Sequence, residues 1–114
     1  MRTLDLVLKG EWYDMITSGE KTEEYRELSD YWIKRLLYPG TKGDLGELIS
    51  YGYPASADIS EYCRFAYVRF RRGYTNISMT YKIKAIRVDE GRQEWGARRF
   101  ERYFVIKLGE RQDL

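Results

Sequence analysis

Alternation with a period of two recurs along this chain, and it constrains the fold more than any other feature. Leu4, Leu6 and Leu8 interleave with Asp5, Val7 and Lys9, a pattern that gives an extended strand one buried face and one exposed face. In YCRFAYVRFRR, residues 62–72, Ala66, Val68 and Phe70 alternate with Phe65, Tyr67, Arg69 and Arg71. One side of that strand is apolar, the other aromatic and basic. Residues 78–88 set Lys82, Lys84 and Ile86 against Tyr81, Ile83 and Ala85, and residues 103–108 (YFVIKL) form a last strand closed by Gly109, with turn residues between the runs.

Two segments follow the helical period instead. Trp12, Met15 and Ile16 fall at i, i+3 and i+4 within residues 11–18, enough for a two-turn helix with one apolar stripe. Gly19 stands where a left-handed C-terminal cap is wanted. After a strand over residues 21–28, Ser29 or Asp30 caps a second helix carrying Trp32, Ile33, Leu36 and Leu37, which Pro39-Gly40 ends. Residues 41–61 hold no sustained period and are expected to form a long mobile loop. Residues 89–101, around Trp95 and Gly96, are expected to be a loop or a short helix. The sum is a single domain over residues 1–114, α+β but mostly β: a small antiparallel or mixed β-barrel of five strands, with two short helices near its start covering an opening. A barrel of this size fills its centre with side chains, so a ligand must use a groove on its flank or mouth.

Composition narrows the chemistry. The chain has no histidine and one cysteine, Cys63, which excludes His-dependent nucleophilic catalysis, zinc sites built on histidine or four cysteines, and an intrachain disulfide. A reducing, cytoplasmic setting fits a lone thiol. Asp5 and Lys9 interrupt the one apolar run near the start, so no signal peptide is expected, and no stretch has membrane-spanning length. Residues 1–60 carry seven basic and eleven acidic side chains, a net of −4, whereas residues 61–114 carry thirteen and seven, a net of +6. The arginine-rich second half is the part suited to an anionic partner. Tyr67, Arg69, Arg71, Arg72 and Tyr74 interleave rings that stack on bases with guanidinium groups that hold phosphates; a solvated strand face would look the same.

The densest charge cluster is GEKTEEYR, residues 19–26. On a strand, Glu24 and Arg26 project to one face together with Thr22, while Lys21, at the strand's beginning, is free of strict parity. A carboxylate so placed accepts hydrogen bonds from the exocyclic amino group of a base, and an arginine beside it forks onto phosphate or onto the carboxylate itself. The plainer reading is a surface ion pair without a ligand.

The order Gly19-x-Lys21-x-x-Glu24-x-Arg26 after a Leu-x-Leu strand and a short helix resembles the signature of the ASCH domain family, which has a PUA-like fold. FRRGYT (Phe70 to Thr75), Glu94-Trp95-Gly96 and the YFVIKL strand are similar to members of that family too. The resemblance implies a β-barrel whose cleft takes RNA or a modified nucleoside, with Lys21, Thr22, Glu24, Arg26 and Trp95 beside it and no metal or cofactor. Some PUA-like relatives are amidohydrolases that deacetylate N4-acetylcytidine, and this chain resembles them at Lys21. It departs from them where Glu24 replaces their threonine nucleophile and Lys82 replaces a glutamate. Thr22 is two residues from Glu24, roughly 6–7 Å along a strand, too far to substitute. A ribonuclease using Lys21 and Glu24 as acid and base is the other hydrolytic alternative, and a protein-interaction module is a third.

Overall fold

The leucine alternation is realised in β1 (Thr3–Leu8), where Leu4, Leu6 and Leu8 are buried and Asp5 and Val7 exposed. The computed structural model describes residues 2–40, 49 and 56–113. Then come α1 (Gly10–Thr17), β2 (Glu23–Glu27), α2 (Asp30–Leu36), β3 (Ala57–Asp58), β4 (Tyr67–Arg72), β5 (Ser78–Glu90) and β6 (Arg102–Arg111), with single 3-10 turns at Ser60–Tyr62 and Gln93–Trp95. The fold is α+β and mostly β, with two helices on a curled half-barrel sheet.

The sheet runs in the order β1-β4-β5-β6-β2, with β3 also paired to β5. It is mixed: β1 and β4 are parallel, and the other ladders are antiparallel. Its two end strands, β1 and β2, are joined through α1 but share no ladder. An open seam therefore lies beside the helix.

Local rules account for the helices. Gly19 has φ +84°, and its N–H donates to the Ile16 carbonyl, so the chain leaves α1 through a left-handed residue that any side chain would strain. Ser29 caps α2 by accepting from the Trp32 N–H at 3.4 Å. The stripe on α1 is rotated from expectation. Tyr13 and Ile16 are the buried pair, while Trp12 and Met15 are half-buried toward the seam.

Several boundaries differ from the sequence reading. The sheet has six strands rather than five, because Ala57–Asp58 pairs with Val88 and Arg87. Of the expected loop 41–61, residues 41–48 and 50–55 lie outside the described residues, and 56–61 hold this short strand and the start of a 3-10 turn. The strand expected from residue 62 begins at Tyr67; Cys63 instead bridges Leu37. The strand expected over 21–28 occupies only Glu23–Glu27. Gly109 does not close β6, which continues to Arg111 opposite β5.

β5 corrects a facing assignment. Lys82 and Lys84 are exposed, but Ile86, grouped with them by parity, is buried. Register shifts between Tyr81 and Ile83 and between Ile83 and Ala85 switch the inward positions from Met79 to Ile86 and Val88.

The main core joins Leu4, Leu6 and Leu8 to Val68, Phe70, Phe104 and Ile106 under both helices. A second, smaller cluster of Tyr25, Trp95, Ala97, Tyr103 and Val105 covers the other face of β6. β6 is thus buried on both sides, as its unbroken Tyr103–Ile106 run requires. Among the described residues no helix is long and apolar enough to cross a membrane.

Candidate functional site

The charged cluster sits on β2, the sheet's end strand, bonded to β6 on one side only. The opposite backbone edge is satisfied by the cluster itself. The Tyr25 N–H donates to Glu24 Oε1 at 3.1 Å, the Tyr25 carbonyl accepts from Arg26 Nη1 at 2.6 Å, and the Glu23 carbonyl accepts from Lys21 Nζ at 2.7 Å. These side chains stand in for a neighbouring strand, which protects the edge from pairing and keeps the seam open.

The same side chains bind one another. Lys21 Nζ lies 2.9 Å from Glu24 Oε1, and Arg26 Nη1 lies 3.3 Å from Glu24 Oε2. Lys21 is only 1% exposed and Glu24 6%, so both charges are carried inside the protein. The turn after Gly19 aims Lys21 inward, with its amine 5.7 Å from the Trp12 ring centroid and 5.0 Å from that of Tyr25. Burial pushes the Lys21 pKa down, and Glu24 pulls it part of the way back. Arg26 stacks at 5.4 Å on Trp32. The Glu23 carboxylate also acts on Lys21, so two anions face the two cations around this edge.

A pocket of about 260 Å³ opens in the seam. Glu24, Tyr25 and Arg26 form one wall, and Val7, Leu8 and Lys9 at the end of β1 form the other, with Trp12, Trp95, Gly96 and Tyr103 around them. Its aromatic side is fixed by hydrogen bonds. The Tyr25 hydroxyl donates to Glu23 Oε1 at 2.7 Å and accepts from the Arg92 N–H at 2.9 Å; the Tyr103 hydroxyl donates to Glu101 and accepts from the Arg98 N–H at 2.9 Å. Burial raises the pKa of both phenols, so they stay neutral donors. Gly91 lets the 91–97 segment close over Tyr25: a Cβ there would fall 2.7 Å from the ring and 2.6 Å from the Ala97 Cβ.

The structure brings together Glu24, Arg26 and Trp95 as cleft-lining residues, and holds Lys21 directly behind Glu24 rather than in the cleft wall. Thr22 is exposed and outside the lining; its carbonyl accepts from the Leu108 N–H at 3.0 Å. Tyr67, Arg69 and Arg71 occupy the outward face of β4, level with Thr3, Asp5 and Val7 of β1. Arg69 is paired with Asp5 at 2.6 Å, and Arg72 makes a two-point contact with Asp14 of α1 at 3.0 and 2.9 Å. Arg71 forms no ion pair among the described residues; it lies opposite Val7 but does not itself line the cleft. Tyr74 is 95% exposed in the β4–β5 turn.

Lys9, Trp12, Tyr25 and Tyr103 also line the cleft and were not singled out from the sequence. Trp12 carried a signal, since an indole at the edge of a helical stripe is suited to a half-buried rim. Among the described residues no serine, threonine or cysteine lines the cleft, and Lys82 is exposed on β5 opposite Tyr67, away from it. Among the described residues no cluster of three or more Cys, Asp or Glu side chains could hold a metal ion.

No protein-family profile, no curated protein and no solved structure matches the chain.

Proposed function

We propose that this chain is a PUA-like domain of the ASCH type that binds RNA, or a modified nucleoside, in the seam between β1 and β2. The observation that carries the reading is the arrangement of Glu24, fixed between Lys21 and Arg26 at the wall of an aromatic-lined pocket of about 260 Å³. Ligand pockets for drug-sized molecules run roughly 300–1,000 Å³, so this one suits a single base and its sugar. Trp12 and Trp95 offer rings for stacking, Glu24 an acceptor for an exocyclic amine, and Arg26 and Lys9 positive charge for the adjoining phosphate.

The hydrolase alternative has less support from the geometry. Lys21 Nζ is enclosed by Glu24, Trp12, Tyr25 and the Glu23 carbonyl, and among the described residues no aliphatic hydroxyl lines the cleft to replace the threonine of the amidohydrolases.

The test is an NMR titration of the protein with a panel of nucleosides and short single-stranded RNAs. The expected result is saturable shifts at Glu24, Arg26 and the Trp12 and Trp95 indoles, weakening with salt, and at least tenfold weaker binding in Arg26→Gln with the spectrum otherwise intact. Unchanged binding in Arg26→Gln combined with Trp12→Ala would overturn the cleft. RNA cleavage by nuclease-free protein, lost in a folded Lys21→Met variant, would put the ribonuclease reading first.

A further inference from the structure

A second pocket, of about 320 Å³, lies at the other end of β1, lined by Arg2, Tyr38, Cys63, Arg64, Phe65 and Ala66. Arg2 precedes β1 and Lys9 follows it, which separates this pocket from the seam by roughly 20 Å of extended chain. The two cavities share no lining residue.

Its charge is one-sided. Among the described residues no carboxylate lines it, and Arg2, Arg35 and Arg64 form no ion pair. The guanidinium carbons of Arg35 and Arg64 lie 5.1 and 5.5 Å from the same Phe65 ring centroid. The shared ring keeps the two like charges no more than about 11 Å apart, on the order of the Debye length at 0.1 M salt. The Nε of Arg64 is buried without a hydrogen-bond partner, although such groups are almost always satisfied. Arg64 is also one of the residues that line the pocket.

The wall is rigid. Arg64 N–H donates to the Leu36 carbonyl at 2.8 Å, Ala66 N–H to the Arg2 carbonyl at 3.1 Å, and Cys63 bridges Leu37. Burial pushes the Cys63 thiol up to about 12, so it brings no negative charge to compete with a ligand.

We propose that this pocket is a phosphate site, in which the Arg64 fork and Arg2 hold the phosphate oxygens while Arg35 stays stacked on Phe65. Guanidinium groups match phosphate geometry in two-point contacts, and a phosphate dianion offsets the repulsion between the arginines. The half-exposed Tyr38 ring at the rim leaves room for a base or sugar attached to that phosphate. The proposal stands independently of what the seam binds.

The experiment follows the arginine Nε–H resonances of the whole protein at constant ionic strength. Potassium chloride is replaced stepwise by inorganic phosphate, by a nucleoside 5′-monophosphate, or by a short oligonucleotide with or without a 5′-phosphate. The expected result is a saturable shift of the Arg64 Nε–H, at least tenfold weaker binding in Arg64→Gln, and no change in Lys84→Gln, an exposed position on β5 that lines neither pocket. If the oligonucleotide binds only when 5′-phosphorylated, the ligand is a terminal phosphate; if both forms bind equally, it is a backbone phosphate. Absence of a saturable shift with all four probes overturns the proposal, as does unchanged affinity in Arg64→Gln. Should Arg64→Gln fail to fold, exposed Arg2→Gln decides by the same tenfold criterion.

Discussion

The molecule contains two kinds of ion cluster built from the same residue types. At β2, Glu24 and Arg26 of the strand and Lys21 just before it lie at 2.9 and 3.3 Å with Lys21 and Glu24 almost wholly buried; on β4, Arg69 reaches Asp5 at 2.6 Å with both side chains about half exposed. The shorter contact is the weaker constraint on the fold. Water can replace either partner of the β4 pair, whereas on β2 each charge depends on the others and on backbone groups that no strand serves. β4 lies between β1 and β5 and has both ladders; β2 has one. Distance alone therefore does not rank these interactions, because solvent access and the state of the neighbouring backbone do.

The largest expected effect removes the shared carboxylate. Glu24→Gln keeps the shape and an acceptor for the Tyr25 N–H but leaves Lys21 buried beside a neutral amide, and should cost about 3–5 kcal/mol in urea unfolding. Adding Lys21→Met should recover part of that loss, since the double variant buries neither charge of the pair. A loss in Glu24→Gln no larger than that of a surface substitution would break the contrast between the two clusters.

Cys63 sharpens the comparison, being buried with no charge partner at all. Its thiol titrates near 9.0 in an open chain and is pushed up to about 12 by burial, with a smaller push from the Asp58 charge. The folded protein then holds the proton that the unfolded chain gives up. This contribution to stability is complete below pH 9.0 and is lost as pH rises toward 12. Lys21 has the opposite sign: its depressed pKa makes the unfolded chain the better proton binder, so its contribution grows as pH rises toward 10.5. Urea midpoints between pH 7.5 and pH 10 should fall more steeply in the wild type than in Cys63→Ala. Parallel slopes would show that the thiol does not titrate differently on folding.

How much of this was legible in the sequence follows from what each signal reports. Period two in Leu4, Leu6 and Leu8 and in Val68 and Phe70 reports which face is buried, and those faces are as expected. The same parity put Glu24 and Arg26 on one side of β2, where they meet. It does not report neighbours: that β1 and β2 end the sheet, and so leave a seam, depends on non-local ladders. Ala57–Asp58 is too short to carry a period. In β5 the register shifts reverse parity midway, and Ile86 therefore faced inward against the pattern. The burial of Lys21 was the least visible feature, because a lysine is seldom enclosed. What encloses this one is Trp12 and Tyr25, brought together by the helix and turn between them.

The smallest expected effect tests the exposed member of the comparison. Arg69 and Asp5 are level in the parallel β1–β4 ladder, and each is about half exposed. Removing the pair's charge with Arg69→Gln should change stability by only about 0.2–1 kcal/mol, and by less as salt rises, since exposed pairs are screened. The β2 cluster should respond little to the same salt, because its charges are shielded from mobile ions by protein. Measuring both Arg69→Gln and Glu24→Gln at 0.05 M and 0.5 M sodium chloride separates the two mechanisms. A shrinking effect for Arg69 with a constant one for Glu24 is the expected outcome. If the two respond alike, burial is not what distinguishes them, and the charged edge of β2 is open to solvent in a way its 1% and 6% exposures at Lys21 and Glu24 do not allow.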